Sequence, residues 1–118
     1  MANPSTTGGT GAGTEVLRRA YTNAITATTD TTIHTVGDNK LVTILSVVMT
    51  ETSDTDTKID LMVNDNFLIC QAPVAGEQTY IFSDKVILDD GDALKFDQND
   101  AANFDVWVSY IEQEFTAP

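Results

Sequence analysis

Histidine, cysteine and tryptophan occur once each in the 118 residues, at His34, Cys70 and Trp107. A single cysteine cannot build an internal disulfide framework. A single histidine leaves no His-rich site and no Cys/His zinc module. Basic residues are scarce: six Lys and Arg stand against 18 Asp and Glu, a formal charge of −12. That balance argues against electrostatic binding to nucleic acid or to an anionic membrane. No apolar run comes near the roughly 20 residues of a membrane span, and residues 1–14 have no signal-peptide-like apolar core. G-x-S-x-G, P-loop and G-x-G-x-x-G patterns are also missing.

What is present fits one acidic domain, long enough to bury a core. Its charge is uneven. Residues 1–29 hold Glu15, Arg18 and Arg19, a net of +1, whereas residues 30–118 hold 17 acids and four lysines, a net of −13. Solubility explains such an excess, as does a face turned to a basic partner.

Residues 1–14 (MANPSTTGGTGAGT) contain no large apolar side chain after Met1. Such a stretch cannot offset its own ordering entropy, and is expected to be an arm, flexible or docked on a neighbour, ahead of a domain at 15–118. Fully extended, it would reach roughly 46 Å. Thr14–Ile25 fits either a helical stripe or a strand with Leu17, Arg19, Tyr21, Asn23 and Ile25 on one face. The β-branched run that follows favours a strand.

The remainder reads as short strands between turns. Leu41–Glu51 is apolar on both faces, with Leu41, Leu45, Val47 and Met49 on one and Val42, Ile44 and Val48 on the other, as in a strand covered on both sides. Lys58–Asn64 alternates, Ile59, Leu61 and Val63 facing inward. Thr32–Val36, Phe67–Gln71, Thr79–Leu88, Ala93–Asp97 and Phe104–Phe115 complete the set, with Asp89–Asp92 as a glycine-bearing turn. About eight strands at this spacing predict an all-β, antiparallel, jelly-roll-like sandwich. Trp107 and Ile111 fall opposite the Phe104/Val106/Val108 set, and Met62 opposite Ile59 and Leu61. Apolar residues on a nominal outer face mark a subunit interface, to which Arg18 and Arg19 would add contacts with a neighbour's acids.

Chemistry is hard to find. His34 sits opposite in parity to Ile33, as a surface or interface residue. Cys70 lies in FLICQ, where a thiol acts as a small buried hydrophobe. Asp54–Asp60 lacks the glycine and terminal Glu of a calcium loop, and Asp89–Asp92 needs no metal to form a turn. The expectation is no catalytic residue, no cofactor and no metal.

Four segments, LVTILSVVMTE, KIDLMVNDN, VILDDGDALKF and NFDVWVSYIEQEF, resemble small β-sandwich virion proteins of tailed bacteriophages, with the likeness running from about Thr28 to Gln113. It implies a non-enzymatic protein made in the host cytoplasm and placed on the virion, on the capsid exterior by preference. The implied role is capsid decoration (cement), bridging subunits of the major capsid protein or another virion protein, as a homo-oligomer and by preference a trimer. Neck, tail or fibre accessory proteins belong to the same group. A carbohydrate- or receptor-binding sandwich is the alternative of another class, with Phe67, Tyr80 and Trp107 as its candidate exposed aromatics.

Overall fold

Alternating apolar and polar residues rich in Val, Ile and Thr favour strands over helices. The computed structural model, which describes residues 14–115, contains nine strands and no helix among those residues. They are β1 (Thr14–Ile25), β2 (Thr31–Thr35), β3 (Lys40–Glu51), β4 (Thr57–Val63), β5 (Asn66–Val74), β6 (Thr79–Phe82), β7 (Val86–Leu88), β8 (Ala93–Gln98) and β9 (Phe104–Glu114). The arm expected at 1–14 lies outside the described residues, apart from Thr14, which opens β1.

The strands form two antiparallel sheets. The first runs β1-β9-β3-β6, with β7 also on β3; the second runs β2-β8-β4-β5. Excepting the β4–β5 hairpin and the β6–β7 pair, each strand crosses to the opposite sheet from its predecessor. This is the expected jelly-roll-like sandwich. It has nine strands rather than about eight because Ser83–Lys85 divides the expected Thr79–Leu88 strand into β6 and β7, which take successive stretches of β3.

The inner faces pack Val42, Ile44, Val47 and Met49 of β3 with Phe104, Val106 and Val108 of β9, Ile59 and Leu61 of β4, and Leu94 and Phe96 of β8. Phe96 and Phe104 meet at 5.0 Å between ring centroids across the two sheets. Simple alternation misassigns β3. A register shift between Ile44 and Ser46 inserts Leu45 as an extra residue. Val42 and Ile44 therefore share the inner face with Val47 and Met49, not with Val48. A bulge adds one residue to a period of two and flips every side chain beyond it. Nor is β3 covered on both sides: Thr43 and Val48, on its outer face, stay half-exposed.

One end of the sandwich is organised by a buried acid. Glu51, 1% exposed at the end of β3, accepts from the backbone N–H groups of Ser53, Thr55, Glu77 and Asn103 at 2.9–3.1 Å. The Ser53 hydroxyl also donates to it. One carboxylate thus ties together the β3–β4, β5–β6 and β8–β9 loops. Although burial alone would raise it, these donors hold its pKa at about 2. Gly76 comes so close to the β3–β4 loop that a Cβ there would lie 2.4 Å from the Asp54 carbonyl carbon.

Candidate functional site

The outer face of the β1-β9-β3-β6/β7 sheet carries most of the large apolar side chains left in solvent. Strand parity puts Leu17, Arg19 and Tyr21 of β1 outward, with Trp107, Ser109 and Ile111 of β9 beside them. Register then assembles two transverse rows. Tyr21 pairs with Trp107, Trp107 with Val48, and Val48 with Ile81. Leu17 pairs with Ile111, Ile111 with Thr43, and Thr43 with Ile87. The rows lie about 13 Å apart, four residues along the strands. Between them runs a polar row of Arg19, Ser109 and Ser46. Leu17, Tyr21, Ile81, Ile87 and Trp107 are 43–71% exposed.

Within this face Tyr21 and Trp107 stack with centroids 5.2 Å apart and planes 13° from parallel. The Arg19 guanidinium lies over the indole at 5.4 Å. Leu17, Arg18, Arg19, Tyr21, Trp107 and Ser109 line an open groove of about 650 Å³. Acids reach this face only at its margins. Glu15 lies near the start of β1, and Asp105, at the other end, accepts from the Ala24 N–H. In a chain of net −12, the two rows and the Arg19–Ser109–Ser46 row between them carry no acid; Asp84, in the link between β6 and β7, stands where that strip meets the sheet edge.

Trp107 and Ile111 thus lie on one outer face, as expected, and Arg19 joins them. The other two expected interface residues do not. Met62 points to the outer face of the opposite sheet and is 5% exposed within its own chain. It sits on the central strand β4 between Phe67 and Lys95, so it offers almost no surface to a neighbour. Arg18 points inward, where its Nε donates to Glu112 Oε1 at 2.9 Å, so its acidic partner is its own chain's. Glu112, 8% exposed, also has Lys40 at 3.7 Å.

Beside that ion pair His34 packs on Tyr110, ring centroids 4.6 Å apart. Burial lowers the His34 pKa, opposed by the Glu112 charge. Burial likewise raises the Tyr110 phenol. Cys70 is exposed on the edge strand β5, against the expectation that it is buried. Of the expected exposed aromatics, Phe67 is 54% exposed on β5, while Tyr80 is half-buried against the core. The Asp89–Asp92 acids serve their own turn. The Asp92 side chain accepts from Asp89 N–H and from Asn64 Nδ2, both at 2.9 Å, and these bonds lower its pKa.

Fold and surface together define a jelly-roll-like β-sandwich with one apolar outer sheet face. No family model matches the sequence, and no curated protein matches it. Among solved structures, a chain from Bacillus endospore appendages, described as a novel family of disulfide-linked pili, shares the fold. The TM-score is 0.54 at 13% identity, over 88% of this chain and 91% of that one.

Proposed function

We propose that the chain is a non-enzymatic structural subunit that docks on a neighbouring protein of a larger assembly through the outer face built on Tyr21, Trp107 and Ile81. The observation that carries this reading is the pair of apolar rows, free of acids, on a chain of net −12. Exposed apolar surface of this kind favours protein contact, and Trp, Tyr and Arg are the residues that dominate such contacts. The sequence resemblance to phage virion proteins supports a virion as that assembly and capsid decoration as the role.

The structural neighbour supports a second reading in the same class, a subunit of an extracellular appendage. One cysteine permits one intermolecular disulfide per copy. That joins copies in pairs and does not propagate along a fibre, so the decoration reading is preferred. A carbohydrate platform is less well supported, because Tyr21 and Arg19 already lie against the Trp107 ring.

Immunogold labelling of purified particles tests the proposal. Label spread over the capsid supports decoration. Label at one vertex moves the chain to the neck or tail. Label on cell-surface filaments favours the appendage, and label on no assembly refutes the structural role.

A further inference from the structure

Among the described residues the two sheets end in four edges, β1, β6/β7, β2 and β5, and three are guarded against pairing with another strand. β5 carries Pro73 and two register shifts against β4. β2 is five residues long and interrupted by a shift. β6 and β7 are four and three residues long and separated by Ser83–Lys85. Short, bulged or proline-bearing edges are how sheets avoid further pairing. Along its first nine residues β1 is neither short, bulged nor proline-bearing, and its inward-pointing charge, Arg18, is neutralised within the chain by Glu112. It is the outermost strand of its sheet, and its register with β9 runs unbroken from Thr14 to Thr22.

The charges on this edge complement themselves. β1 is the element with two cations, Arg18 and Arg19, and one acid, Glu15. If a second β1 approaches antiparallel in the same sheet, outward residues must face outward residues, so paired positions have the same parity. A two-fold axis at Leu17 sets Glu15 opposite Arg19, Leu17 opposite Leu17, and Arg19 opposite Glu15. An axis at Arg18 or at Arg19 would instead oppose like charges, which destabilises strand pairs. Among the described residues neither Glu15 nor Arg19 is engaged in an ion pair; Arg19 lies over the Trp107 ring. Elsewhere the acidic surface of two copies repels; here, with Arg18 held by Glu112, each copy presents one acid and one cation that meet their opposites.

We infer that β1 pairs antiparallel with β1 of a second copy of this chain, about a two-fold axis at Leu17, fusing the two outer faces into one continuous surface. The inference deepens the structural-subunit reading and rests on it for its purpose, though not for its geometry. It closes at two copies, in contrast to the trimer expected from the resemblance to phage proteins.

Sedimentation equilibrium of the full chain over the micromolar range tests the pairing, in a Cys70→Ser background that removes the exposed thiol. Wild type is expected to dimerise. Glu15→Arg and Arg19→Glu each place like charges across the axis twice, and each should raise the dimer Kd about tenfold. The double variant restores opposite charges and should recover to within about threefold of wild type. Leu17→Cys should form a disulfide with itself, whereas Tyr21→Cys, whose partner across this axis is position 13, should not. A monomeric wild type, a double variant no tighter than the singles, or equal cross-linking at 17 and 21 would each overturn the inference. Particle labelling is read independently, so failure here leaves the structural role standing.

Discussion

Tyr21 and Trp107 sit directly opposite each other on β1 and β9, their rings stacked at 5.2 Å on the solvent side of the sheet. Stacking two large aromatics in water, with Arg19 over the indole, fixes their rotamers before any partner arrives. Pre-ordered side chains lose less entropy on docking. The pair is therefore a contact device more than a fold device. Trp107→Ala should cost the isolated sandwich the area its half-buried ring covers plus at most about 1.5 kcal/mol for the aromatic pair, in total less than the roughly 3–5 kcal/mol of a core aromatic. Thermal unfolding of the purified variant checks this, and a loss like that of a core aromatic would assign Trp107 to stability instead.

Glu51 gives the sharpest stability expectation. Replacement by Gln leaves the four backbone donors with at most one good acceptor oxygen. About 3 kcal/mol should be lost at neutral pH, within the range for removing a buried, hydrogen-bonded charge. The pH dependence follows from the sign of the shift. The folded-state pKa is lowered from 4.5 to about 2, so the stabilisation is complete above about pH 4.5 and is lost as the pH falls toward 2. Urea unfolding between pH 7 and pH 2 should show the gap between wild type and Glu51→Gln closing across that window.

Much of this organisation is legible from the chain. Alternation in Lys58–Asn64 and Phe104–Glu114 gives the inner faces directly, and turn residues mark most strand ends. Alternation fails where a bulge intervenes: Leu45 cannot be recognised as the extra residue without its partners on β9. Parity alone also cannot tell a covered outer face from an open one. Met62 and Trp107 read alike, yet the centre of one sheet hides the first while the other sheet leaves the second in solvent. Ile81 and Ile87 could have been found. They alternate with Tyr80, Phe82, Val86 and Leu88, and treating Thr79–Leu88 as one strand hid their place in two different rows. Cys70 reads as buried from its apolar neighbours, but β5 lies at an edge.

The lone histidine offers a clean titration. Burial disfavours the imidazolium, so His34 should titrate below the ordinary 6.5 when followed by its ring-proton NMR signals. The conformational consequence is a loss of stability as the pH falls below 6.5 and through the folded-state pKa. Glu112→Gln removes the opposing charge and should lower the value further. An unchanged titration would separate His34 from the Glu112 ion pair.

Gly76→Ala tests the closeness of two loops. The added Cβ would meet the backbone of Asp54 at 2.4 Å, so the β5–β6 loop must move. It would then strain the hydrogen bonds from Gly76 N–H to Asp56 and from Glu77 N–H to Glu51. A loss of about 1–3 kcal/mol is expected, read by chemical denaturation.

Because Trp107 is the chain's single tryptophan, its own accessibility reports on the proposed docking face. Replaced biosynthetically by 7-azatryptophan, it can be excited apart from the tryptophans of other proteins in an assembled particle. Acrylamide quenching, measured on the free chain and again on the chain in its assembly, is the direct test. Strong quenching when free and a several-fold lower quenching constant when assembled is the expected result. Equal quenching in the two states would show that the Tyr21–Trp107 face stays in solvent and would contradict its role as the docking surface.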